Sequence, residues 1–154
     1  MQEVLNAAIE TWGTDLQQIV AIEECSEVAK EICKYIRGKF NKLHMAEEIA
    51  DLQIVLGQLE IIHGRKKERS TYPGEFQEGT ILHVLDDVSY TQLIITGIIN
   101  GSKSAQESIV DQVNYTYASI EWLKKELDIE KLVDVYVKRK IDRLKERINE
   151  ANQS

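Results

Sequence analysis

A single proline, Pro73, interrupts the 154 residues of this chain, and only eight glycines accompany it. Proline blocks a helix interior because it lacks an amide donor and clashes with the preceding turn. A chain almost free of it, and rich in Glu, Lys, Ile and Leu, is therefore expected to run in long helices. Apolar spacing says where. From 14 to 37, Ile22, Cys25, Val28, Ala29, Ile32 and Ile36 recur at helical intervals. Thr14 or Asp15 is expected to cap the start, and Gly38 the end. Residues 43–63 repeat the pattern with Leu52, Val55, Leu59 and Ile62, ending at Gly64. So short a turn makes the two helices antiparallel neighbours, a hairpin over 14–64.

Beyond the hairpin, 65–80 is polar and holds the Pro-Gly pair, so it reads as a linker. Its basic cluster is Arg65, Lys66, Lys67 and Arg69. Residues 81–99 and 103–127 read as further helices, forming a second hairpin over 81–129. Residues 130–151 read as a C-terminal basic helix. Its seam of Val133, Val137, Ile141, Leu144 and Ile148 suits a neighbouring helix or a second subunit. The expected fold is thus all-α, a single-domain antiparallel bundle of about five helices. A degenerate internal repeat is also legible. Setting 22–38 over 85–101 matches Ser26 with Ser89, Ile32 with Ile95, Ile36 with Ile99 and Gly38 with Gly101. The acidic pair Glu23–Glu24 then falls on Asp86–Asp87, and 47–51 on 107–111. Tyr90 stands where Glu27 stood and Ser108 where Glu48 stood, so the second copy lacks the full acidic set.

Charge and cysteine content narrow the function. A net charge of −7 speaks against a nucleic-acid backbone as partner, which calls for a basic face. No signal-like segment opens the chain and no apolar run is long enough to span a membrane. Cys25 and Cys33, eight residues apart on one helix, are separated by roughly 12 Å. A disulfide requires Cα atoms within about 7 Å. Two unpaired thiols, read as small core residues, fit a reducing cytoplasm. His44, His63 and His83 are isolated from any matching ligand set and read as surface or helix-end residues.

The chemistry sits in the acidic residues of the first hairpin. Glu24 and Glu27 lie three apart on one helix, Glu48 and Asp51 three apart on the next, so each pair shares a face. The pairs straddle the turn at nearly the same level, within about one helical turn. On the second helix, Glu48 falls inside the apolar arc and Asp51 at its edge, where an acid is expensive unless paired or metal-bound. Four converging carboxylates repel unless a cation neutralises them, and hard oxygen donors suit Mg²⁺ or Mn²⁺. A solvated charged face is the competing reading, strongest for Glu24 and Glu27, which point away from their own apolar stripe.

The pattern EECSE (23–27) followed by EIAD (48–51) resembles the MazG-like superfamily of all-α nucleotide pyrophosphohydrolases. Dimeric dUTPases, dCTPases and phosphoribosyl-ATP pyrophosphohydrolase belong to it as well. The resemblance spans Trp12 to Gly64 and resumes in 138–148, similar to the family's last basic helix; it does not cover 65–129. It implies Glu24, Glu27, Glu48 and Asp51 as metal ligands, with Glu23 nearby and Glu23 or Glu48 serving the attacking water. It implies a nucleoside triphosphate substrate, cut to monophosphate and pyrophosphate with Mg²⁺, in nucleotide-pool house-cleaning. Lys140 and Arg143, with Lys34 and Arg37, are the implied phosphate contacts. Trp12 and Gln17 stand where the family places base contacts, and Trp122 and Tyr90 are further candidates from the second half. The family's usual Asn on the last helix is absent. A homo-oligomer is the family habit, and the seam on 130–151 offers an interface. The alternative is a non-catalytic helical module that binds nucleotides or a partner protein.

Overall fold

The computed structural model describes residues 1–68 and 81–153, and the described residues form six α-helices with no strand. These are α1 (Gln2–Trp12), α2 (Thr14–Ile36), α3 (Lys42–His63), α4 (Ile81–Ile99), α5 (Lys103–Glu126) and α6 (Glu130–Ala151). The all-α expectation is met with one helix more than expected, α1. Its stripe of Val4, Leu5, Ala8, Ile9 and Trp12 has helical spacing, and Leu5 and Ala8 are fully covered. Eleven residues make too short a helix to persist alone, so α1 depends on what it packs against, namely α3, α6 and α2. Glycine makes the docking close. A Cβ built on Gly57 of α3 meets Leu5 Cδ1 at 2.9 Å, so any larger residue there would push the Leu5 side chain aside. The linker's Arg69 and Pro73–Gly74 lie outside the described residues.

Two hairpins make the core. The α2–α3 turn closes with Lys39 N–H donating to Lys34 O and Gly38 N–H to Tyr35 O, both at 2.9 Å, with Gly38 at φ 70°. The α4–α5 turn repeats it: Ser102 N–H donates to Gly97 O and Gly101 N–H to Ile98 O, again at 2.9 Å, with Gly101 at φ 81°. This is the left-handed glycine closure that satisfies the last carbonyls of a helix. Side chains then start the returning helices: Asn41 Oδ1 accepts from Leu43 and His44 N–H, and Ser102 Oγ from Ala105 N–H. The start of α2 differs from expectation. Gly13 occupies the cap position, no side chain caps the helix, and Thr14 is its first helical residue. Asp15 still lies in the first turn, where its charge faces the positive end of the helix dipole.

The hairpins pack α2 on α4 and α3 on α5, while α6 lies along α3 and against α1. Ile32, Ile49, Leu52, Leu56, Ile95 and Ile120 are fully buried between them. The α6 seam is used up inside the chain: Val133, Ile141 and Ile148 are buried, Val137 and Leu144 half-buried. They face α3 and α1, so the seam is no argument for a second subunit. Cys25 is a core residue as expected, but Cys33 is exposed; neither is paired. Two of the linker cations are engaged by the protein itself, Lys66 by Asp111 and Arg65 by Glu60. No described helix is long and apolar enough to cross a membrane.

Candidate functional site

The turn at Gly38 sets α2 and α3 side by side so that Glu24, Glu48 and Asp51 converge. One carboxylate oxygen from each lies within 4.8 Å of the others, and all three are half-buried. Withdrawal from water disfavours the charged form, and neighbouring like charges add to it. Burial is the largest cause pushing the Glu24 carboxyl from its ordinary 4.5 up to about 7, followed by Asp51, Glu23 and Glu48. Burial likewise raises Glu48, with Asp51 and Glu27 contributing. Asp51 is raised as well, although Lys140 donates a hydrogen bond to it. For Asp51, burial outweighs the favourable cation.

Lys140 reaches in from α6. Its Nζ bonds Asp51 Oδ2 and stands 3.5 Å from Glu47 Oε1. Glu27 stays at the rim: it is close enough to raise Glu48, but its carboxylate pairs with Lys30 at 2.7 Å. Glu23 is exposed beside Glu24. Of the four carboxylates expected to converge, three form the compact group. Hard oxygen donors without Cys or His, held together against mutual repulsion, are a donor set fitted to Mg²⁺ or Mn²⁺.

A cleft of about 400 Å³ opens from this cluster. Glu24 and Asp51 line one part of it. Leu16, Val20, Ile54, Val55 and Leu144 supply apolar wall, Gln17 and Gln58 supply carboxamides, and Lys140, Arg143 and Arg147 supply positive charge. The cations follow one stripe of α6, at helical spacings of three and four. Trp12 closes the outer wall, with the Arg147 guanidinium 5.4 Å from its ring centroid. That contact joins α1 to α6 by a cation–π interaction.

Trp12, Gln17, Lys140 and Arg143 are therefore brought together with the acids. Lys34 and Arg37 are not. Lys34 bonds Glu31 one turn back, and Arg37 Nε donates to Cys33 O at 3.1 Å; neither lines the cleft. Trp122 and Tyr90 do not line it either. Sequence reasoning missed Arg147 and Gln58. Arg147 continues the Lys140–Arg143 stripe, and Gln58 is a lone amide among the apolar residues of α3, so each left a readable signal. Searches against protein-family models, curated proteins and solved structures find no match to this chain.

Proposed function

We propose that this protein is a divalent-cation-dependent nucleoside triphosphate pyrophosphohydrolase of the MazG-like kind. The observation that carries the reading is one cleft lined by Glu24 and Asp51 of the three-carboxylate cluster, a row of three cations and an apolar wall. A triphosphate needs the first two and a nucleobase the third. The motifs EECSE and EIAD, in order on paired helices, support the same class.

Glu24, Glu48 and Asp51 would hold Mg²⁺, with Glu27 and Glu23 at the rim. Bound there, the cation supplies charge neutralisation and a lowered pKa for water. The chain's own groups do the rest. Arg143 and Arg147 bind phosphate oxygens, and Lys140 moves from Asp51 to the anionic substrate. The apolar wall holds the base and excludes water from the reacting end. Glu48, or Glu23 beside Glu24, accepts the proton of the attacking water. The water oxygen bonds to the α-phosphorus as the α–β bridging bond breaks, giving nucleoside monophosphate and pyrophosphate.

The test is to incubate the protein with each NTP and dNTP plus Mg²⁺ and to assay pyrophosphate, with Glu48→Gln alongside. Pyrophosphate and monophosphate from the wild type alone are expected. A wild type that binds Mg²⁺ but turns over none of the nucleotides overturns the reading.

A further inference from the structure

Gln58 and Gln17 are only 2% and 7% exposed, yet neither carboxamide hydrogen-bonds to another residue of the protein. Each amide then meets water only through the space it faces, and a ligand that displaces this water without bonding the amide leaves it unsatisfied. A second buried glutamine shows the usual arrangement: Gln112 donates to Asp87 O at 3.0 Å and to Thr116 Oγ1 at 3.3 Å. The difference lies in what Gln58 and Gln17 face. Asp51, Ile54, Val55 and Gln58 occupy one stripe of α3, at spacings of three, four and seven, and all line the cleft. Gln17, Val20 and Glu24 make the matching stripe of α2. Among the described residues, the side-chain atoms sealed from solvent without a partner are Gln18 Oε1 and His63 Nε2. The amides of Gln17 and Gln58 are not among them, so both open onto the cleft.

We infer that Gln58, together with Gln17, reads the hydrogen-bonding edge of a nucleobase held in the apolar part of the cleft. This rests on the nucleotide reading, in which the resemblance already implies a base contact for Gln17, and adds to it Gln58 as the residue that chooses the base. A carboxamide offers a donor and an acceptor side by side, the complement of a base edge that presents an acceptor beside a donor. A buried amide left unpaired by a ligand without such an edge penalises that ligand. Phosphate contacts hold the nucleotide in register but carry no information about the base. Discrimination therefore resides at the amides, while Lys140, Arg143 and Arg147 bind all triphosphates alike.

The experiment is calorimetric. Wild type and Gln58→Met are titrated in Mg²⁺ with the α,β-imido analogues of the four common dNTPs, which resist cleavage at that bridge, and with inorganic tripolyphosphate. Methionine keeps the side chain's length and removes only its polarity. Binding of the preferred analogue should weaken by about tenfold or more in the variant, roughly one hydrogen bond's worth. Preference among the four bases should narrow, tripolyphosphate affinity should hold, and the melting temperature should stay or rise. A structural amide would instead lower it. Gln17→Met, on a different helix, should narrow base preference in the same way and provides the test if Gln58→Met does not fold. Unchanged base preference in the folded variants overturns the inference, as does an equal loss for tripolyphosphate. Wild-type binding of tripolyphosphate with no gain from any base overturns it too. No binding of any nucleotide by the wild type overturns the nucleotide reading itself.

Discussion

The two hairpins share a turn and differ in how they treat their polar groups. Both close through a left-handed glycine with the same pair of backbone bonds. Within α4–α5, buried polar groups meet complementary partners. Thr91 and Thr116 hydroxyls lie 2.8 Å apart, Gln112 donates to Asp87 O, and Ser119 donates to the Asp87 carboxylate. Asp87 stands in the repeat where Glu24 stands in the first hairpin. Within α2–α3, the polar groups at the equivalent level are three acids facing one another, all with raised pKa values. One hairpin has turned its polar groups inward to hold itself together. The other keeps like charges in contact at the expense of stability, the kind of local conflict found at functional sites.

The comparison can be broken most sharply by activity. Glu48→Gln should reduce pyrophosphate release by at least about a hundredfold, the usual worth of a positioned base. Ser119→Ala in the other hairpin should leave the rate within about twofold, since its hydroxyl bonds Asp87 and does not line the cleft. A comparable loss from both in a turnover assay would erase the distinction.

Stability should divide the hairpins with opposite sign. Thr116→Val takes one partner each from Thr91 and Gln112, which keep Asp87 O, and should destabilise the fold by about 0.5–1.5 kcal/mol in urea titrations. Glu24→Gln relieves repulsion and should leave metal-free stability unchanged or raise it. Destabilisation by both would mean that the acids, too, are structural.

A smaller effect concerns Lys140. Lys140→Met removes the positive charge bonded to Asp51. Mg²⁺ should then bind the nucleotide-free protein more tightly by ~1 kcal/mol, the scale of a partly exposed ion pair, while nucleotide affinity falls. Calorimetry with each ligand separately reads both signs, and weaker Mg²⁺ binding would contradict the placement.

The last effect is in pH. Glu24 titrates at about 7 in the folded chain against an ordinary 4.5, so between those values the folded state holds the extra proton. Metal-free stability should therefore decline as pH rises through that window and level off above it. Urea midpoints at about pH 5 and about pH 8 in chelator should fall less for Glu24→Gln than for the wild type. Equal falls would remove Glu24 as the cause.

Much of this was legible in the residues. The spacing of Ile22, Cys25, Val28 and Ile32, and of Leu52, Val55 and Leu59, located α2 and α3, and the glycines located their ends. The acids at 24, 48 and 51 were legible because a short turn fixes the level of residues on antiparallel helices. The helix α1 was not legible because eleven residues make too short a helix to persist alone; its pattern gains meaning only from the surface that receives it. The seam on α6 was visible, but a sequence does not say whether a stripe meets its own chain or another. Lys34 and Arg37 were nominated by nearness along the chain. Lys34 is ten residues past Glu24, roughly 15 Å along the helix, and so lies outside the cleft. Gln58 and Arg147 left a signal in their spacing, but that both meet one cleft is decided by how α3 packs with α2 and α6, a tertiary outcome.

The bond between Lys140 and Asp51 spans 89 positions of sequence, and this gives the site a history during synthesis. The acids emerge together on the first hairpin. Their counter-charge arrives on the last helix, which also brings Arg147 to Trp12. Until that helix is made, the growing polypeptide carries an open acidic face with no cleft behind it. The finished cleft comes into being only when α6 settles against α1 and α3.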